Sequence, residues 1–154
     1  MSFRIKGLPA EEFSELFAMS DEALAARGAV RQIAKEDTHP PCRVSLTDAN
    51  PGDEVVLVNY EHHPVDSPYR MRYAIYIREV EKTYDVVDQV PEQLRSRTLA
   101  VRSFDSKAMA VQWEVVNGRE LEPVIERFFQ NPAAAYIHIH YAAPGCYAAR
   151  VERV

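Results

Sequence analysis

Strand-like segments arrive in this sequence as couples separated by short turns, and that arrangement constrains the fold more than any other feature. Cys42, Val44 and Leu46 alternate with Arg43, Ser45 and Thr47, so an extended segment there carries different residues on its two faces. Asn50-Pro51-Gly52-Asp53 supplies a turn and Glu54 to Tyr60 a second strand, which predicts a hairpin of the two. Leu99 to Phe104 and Met109 to Val116 flank Asp105-Ser106-Lys107 in the same way, and Ala134 to Ala142 and Tyr147 to Arg153 flank Pro144-Gly145. Arg72 to Val80 is a further strand-like run. Hairpins pair antiparallel, so the expected fold class is α+β with a largely antiparallel sheet. A doubly wound dinucleotide fold is excluded, because no glycine-rich phosphate loop follows a strand and strict βαβ alternation is missing.

The helical signals are few. Phe3 to Leu8 reads as a short strand, after which Pro9 opens an amphipathic turn carrying Phe13, Leu16 and Phe17. Ser20 is placed to cap a second short helix, with Asp21 and Glu22 in its first turn and Gly28 as its stop. Pro91 opens another through Arg97, and Asn117-Gly118 is a turn. The longest runs from Glu120 to Phe129, where Leu121, Ile125, Phe128 and Phe129 fall at helical spacing before Asn131-Pro132 ends it. Two short N-terminal helices and one longer helix before the C-terminal hairpin complete the expected architecture.

Length and charge bound the function. A chain of 154 residues is expected to form a single domain over 1–154, with no linker or internal repeat. Folding at that size buries roughly 68 to 70% of the unfolded chain's surface. A net charge of −5 opposes a phosphate-tracking surface and so a nucleic-acid partner. No apolar run matches a secretory signal or a membrane span, which makes a cytoplasmic protein without membrane contact the expectation. Cys42 and Cys146 are then expected to stay reduced.

Candidate chemistry concentrates in the last hairpin. The eleven residues from Tyr136 to Cys146 hold His138 and His140, two of the chain's five histidines, and one of its two cysteines. Residues two apart on a strand point the same way, about 6.5 to 7 Å apart at Cα, so His138 and His140 can approach one ion. A divalent metal needs a further ligand, and His62 is the leading candidate; the plainer alternative is that these histidines are sheet residues satisfied by hydrogen bonds. Adjacent His62 and His63 point to opposite sides of an extended backbone, so at most one would serve. Symmetric pairing about Pro144-Gly145 puts Cys146 on the face of Ile139 and Tyr141, away from the two histidines, unless a bulge reverses the parity. Cys42 reads as a core residue.

The second candidate segment is Glu61-His62-His63-Pro64-Val65-Asp66-Ser67-Pro68-Tyr69-Arg70. Two prolines stiffen it while Ser67, Tyr69 and Arg70 offer donors for a polar or anionic ligand. The plainer alternative has Asp66 and Ser67 capping their own turn and Arg70 paired with a surface acid.

The chain resembles a bacterial family known as domain of unknown function 1203. The likeness rests on Phe3-Arg4-Ile5-Lys6-Gly7-Leu8-Pro9-Ala10, Pro41-Cys42-Arg43-Val44-Ser45-Leu46, Tyr60-Glu61-His62, Ser67-Pro68-Tyr69-Arg70, His138-Ile139-His140 and Pro144-Gly145-Cys146-Tyr147-Ala148-Ala149-Arg150. It implies a bacterial, single-domain protein and carries over no activity or catalytic residue; His63 stands where that family varies.

Three readings follow. In the first, a small-molecule binding protein or an enzyme of unassigned reaction has its pocket between the 61–70 loop and the 136–150 hairpin. Ser67, Tyr69 and Arg70 hold the ligand there, and His62, His138, His140 or Cys146 supply chemistry. It requires His62 and His138 to converge to well under about 12 Å. In the second, these residues are structural, and an open sheet face or edge serves a partner or a second copy of the chain. In the third, Cys42 and Cys146 form a redox pair.

Overall fold

The computed structural model describes residues 1–79 and 82–154. It is an α+β fold built on two antiparallel sheets. The larger has six strands in the order β5-β1-β9-β8-β6-β7, formed by β1 (Phe3–Lys6), β5 (Asp85–Val87), β6 (Thr98–Phe104), β7 (Ala110–Asn117), β8 (Tyr136–Tyr141) and β9 (Tyr147–Arg153). The smaller has β2 (Ala29–Ile33), β3 (Glu54–His63) and β4 (Met71–Arg78) in sequence order. The end of the expected strand at Val80 lies outside the described residues.

Helices are short. Residues 10–18 form two 3-10 helical turns in which Phe13 and Leu16 are buried. In α1 (Asp21–Ala26) the Ser20 side chain accepts from the Ala23 amide at 3.2 Å, which makes it the N-cap. Pro91 precedes α2 (Glu92–Arg95), shorter than its expected extent to Arg97. The α3 helix (Leu121–Phe129) turns Leu121, Val124, Ile125, Phe128 and Phe129 inward. Its apolar stripe packs on Leu99, Val101, Ile137, Ile139 and Val151 of the large sheet, forming the main core.

The opposite face of the large sheet meets the small one. Tyr147 of β9 is fully enclosed and packs with Val56 and Val58 of β3 and Ile75 and Ile77 of β4. All six residues of β8 are therefore buried, odd-numbered ones against α3 and even-numbered ones toward the small sheet. An amphipathic alternation would have left one face wet, so this strand sits at the centre of a three-layer stack.

The expected hairpin of 42–47 with 54–60 does not form. Residues 41–48 make only isolated bridges, Pro41 to Asp48 and Cys42 to Tyr76, and β3 pairs instead with β2. Two observations explain this. Leu46 has a φ of 52°, which breaks an extended run, and Arg43 is buried beside Cys42, Val44 and Leu46 instead of sharing the solvent side of Ser45 and Thr47. Strand β2 carries polar Arg31 and Gln32 and lacked the apolar alternation by which the others were legible. Gly7 crosses this segment so closely that an added Cβ would lie 2.1 Å from the Val44 carbonyl oxygen, and only glycine fits there.

Candidate functional site

Two β-bulges build the site. Between β3 and β4 the register shifts after Tyr60, which pairs with Tyr73, while His63 pairs with Met71. The extra residue on β3 turns both His62 and His63 toward the large sheet, so the expectation that adjacent histidines face apart fails here. The second bulge lies between β8 and β9, where Ile139 pairs with Ala149 but His140 with Tyr147. It sends Tyr147 to the histidine face. Gly145, at φ 80°, takes the left-handed position after Pro144 that tightens the turn.

Three histidines, His62, His63 and His140, consequently gather around His138. Ring centroids lie 6.2 Å from His62 to His138, 5.4 Å from His62 to His140, 6.5 Å from His138 to His140 and 4.6 Å from His63 to His138. Tyr147 stacks on His62 at 4.8 Å. All four histidines are buried and line one pocket of about 400 Å³ with Tyr69, Arg70, Met71, Arg102, Phe104 and Trp113.

Hydrogen bonds fix two of the rings. His63 donates through Nδ1 to the Tyr69 carbonyl at 2.9 Å, so its Nε2 accepts from the Tyr136 hydroxyl at 2.7 Å. His140 donates through Nδ1 to the Gly145 carbonyl at 2.9 Å and presents the Nε2 lone pair to Arg102 Nη1 at 3.4 Å. Neither nitrogen of His62, nor Nδ1 of His138, has a partner among the described residues. Burial pushes all four down: His62 to about 4, His140 to about 3, and His63 and His138 below the ordinary imidazole range. The Arg102 charge adds to the effect on His62 and His140. The cluster is neutral at pH 7.

Arg102 is the residue sequence reasoning missed. It stands on β6 opposite His138 on one side and opposite Trp113 on the other, forming a row of side chains across three strands. Its Nη1 contacts only the Met71 sulfur at 3.9 Å and His140, and no carboxylate pairs with it among the described residues. Burial pulls its guanidinium below the ordinary arginine value with nothing to offset it. Alternation along Leu99 to Phe104 already put Ala100, Arg102 and Phe104 on one face. Choosing that face required knowing that β6 pairs with β8.

The expected ligand residues fare differently. Tyr69 lines the pocket, with its ring 5.9 Å from that of Phe104. Arg70 lines it too, but its Nε and Nη2 donate to the Glu61 carboxylate at 3.1 Å each, the plainer alternative. Ser67 ties the loop to the β6–β7 turn, donating to the Ala108 carbonyl at 2.9 Å and accepting from the Tyr69 amide at 3.1 Å, so it is not a pocket donor. The candidate metal ligands His138, His140 and His62 come together without forming a metal site: among the described residues no three His, Cys, Asp or Glu side chains are placed to share an ion. The Arg102 guanidinium stands beside His140 Nε2, where a dication would meet its repulsion.

The two thiols are free and lie in different core clusters. Cys42 accepts from the Arg78 amide at 3.3 Å, beneath β4. Cys146 packs with Ile139 and Tyr141, on the face away from His138 and His140, and accepts from Arg43 Nη2 at 3.0 Å. Arg43, 1% exposed, also donates to the Tyr147 carbonyl at 2.7 Å and the Pro41 carbonyl at 2.5 Å, tying the 41–48 segment to β9.

No helix among the described residues is long and apolar enough to cross a membrane. Neither the curated proteins nor the solved structures contain a match to the chain. A family model matches residues 39–153, a span that includes every residue of the pocket, and the chain therefore belongs to the family described as protein of unknown function DUF1203.

Proposed function

We propose that this protein binds a small anionic molecule in the pocket between the 64–70 loop and the β8–β9 hairpin, with Arg102 as the group that holds the charge. One observation carries the reading: a half-buried guanidinium without a carboxylate among the described residues faces a pocket whose histidines are neutral and whose Arg70 is already paired. Charged side chains are removed from water at a cost unless a counter-charge meets them, and an anionic ligand supplies it. Unpartnered nitrogens on His62 and His138 add polar groups that a ligand or the waters around it would satisfy.

Binding is favoured over proton-transfer catalysis. A general base works best with a pKa near the operating pH, and His62 at about 4 and His140 at about 3 are weak bases at pH 7. Two free thiols support a reducing, cytoplasmic setting.

A thermal-unfolding screen tests the reading, using acetate, benzoate, phosphate and sulfate beside neutral and cationic compounds of similar size. At least one anion should raise the midpoint of the wild type, and the rise should vanish in Arg102→Gln. Equal response to neutral compounds, or an anion response that survives in Arg102→Gln, overturns it.

A second reading, an interaction protein, draws on one feature. Strand β7 is an outer strand of the large sheet, and its Trp113 and Val115 are exposed on the pocket side. Gel filtration across a hundredfold concentration range tests it: a dimer that dissociates when Trp113 and Val115 are both replaced by Ser supports self-association, and a monomer throughout contradicts it.

A further inference from the structure

The pocket's shape and charge say which kind of anion it takes. Its polar groups are asymmetric. Arg102 is the one lining cation without an acid among the described residues, since Arg70 is held by Glu61 and the four histidines are neutral. A phosphate dianion is usually met by several cations or by main-chain amides at a helix N-terminus, and the lining residues come from strands and the 64–70 loop. A single guanidinium matches the single charge and two oxygens of a carboxylate.

The rest of the lining is aromatic and apolar. Phe104, Tyr69, Met71, Pro68 and Ala110 line the pocket with Arg102, and Trp113 stands opposite it on the neighbouring strand. Directly opposed side chains on adjacent antiparallel strands start about 5 Å apart at Cβ, so one short ligand can touch both Arg102 and Trp113. Trp113 is the only tryptophan of the chain and is 71% exposed. An indole left in water on a sheet face, beside an unpaired cation, offers a flat surface for an aromatic ring to stack on. A volume of about 400 Å³ lies in the range of small-ligand sites.

We propose that the ligand class is a planar aromatic monocarboxylate, its carboxylate on Arg102 and its ring against Trp113 and the Phe104 side of the pocket. The inference rests on the anion-binding reading above and adds the aromatic requirement and the single charge.

The test is calorimetric titration of the full chain with benzoate, 1-naphthoate, cyclohexanecarboxylate, benzyl alcohol and inorganic phosphate, with Trp113 emission followed in parallel for benzoate. Benzoate and naphthoate should bind about two- to tenfold more tightly than cyclohexanecarboxylate, which lacks the aromatic ring, and more tightly than benzyl alcohol, which lacks the carboxylate. Benzoate should change the Trp113 emission. Trp113→Ala should lose most of the aromatic advantage while keeping the wild-type unfolding midpoint, because the side chain is exposed. Trp113→Phe should restore part of it.

If cyclohexanecarboxylate or phosphate binds as well as benzoate and Arg102→Gln abolishes that binding, the aromatic class is wrong and the anion site stands. If none of the five binds, both ideas fall.

Discussion

Arg102 Nη1 lies 3.4 Å from His140 Nε2, a cation facing the lone pair of a neutral imidazole across β6 and β8. No carboxylate among the described residues shares the charge, and the same guanidinium lowers the proton affinity of His62 and His140. The arrangement is costly for folding and useful for holding an anion.

The first prediction concerns that cost. Replacing Arg102 by Met removes a half-buried, uncompensated charge while keeping a chain of similar length, so the variant should be more stable by about 1 kcal/mol even as anion binding disappears. Urea unfolding without ligand checks it, and a loss of stability of similar size would show that Arg102 is there to hold the fold.

The second prediction is acid lability. His62, His63, His138 and His140 have folded pKa values below the ordinary value near 6.5, so at low pH the unfolded chain binds more protons than the folded one. Their neutral forms favour the fold fully above about pH 6.5. That contribution fades as pH falls toward 4 for His62 and 3 for His140. Unfolding midpoints measured from pH 7.5 to 4.5 should fall steadily below 6.5, and a flat profile would rule the buried neutral cluster out.

How much of this was readable beforehand depends on whether the deciding interaction was local. The Ser20 cap, the Pro144-Gly145 turn and the α3 stripe lie within a few residues of their partners, and each appears where local signals put it. The 42–47 segment looked like a strand because its alternation was real. What decided against it was the φ of Leu46 and the burial of Arg43, which reaches residues more than a hundred positions away. In the site, the gathering of His62 with His138 follows from two segments already marked by composition. The choice of Arg102 over Arg70 turns on the β6–β8 register and on Glu61 engaging Arg70, neither of which is a local property.

Tyr136 provides the third prediction. Its hydroxyl donates to His63 Nε2 at 2.7 Å, and Tyr136→Phe would leave that nitrogen buried without a partner. The expected destabilisation is about 1 to 3 kcal/mol by chemical denaturation. A neutral result would mean that water replaces the hydroxyl.

Arg43 provides the fourth. Arg43→Met leaves the Tyr147 and Pro41 carbonyls and the Cys146 sulfur without their donor inside the protein, and should destabilise by about 3 kcal/mol or more. Cys146→Ser, which keeps an acceptor for Arg43 Nη2, should lose much less. Equal losses in the two variants would contradict this assignment.

Arg102, and not the surface-paired Arg70, is held here to take the anion, and arginine side-chain NMR tests that claim most directly. In the ¹⁵N-labelled protein titrated with benzoate, the Nε–H resonance assigned through Arg102→Gln should shift and saturate, while that of Arg70 should stay in place. A saturating shift at Arg70 with none at Arg102, or no shift at either, would contradict the account.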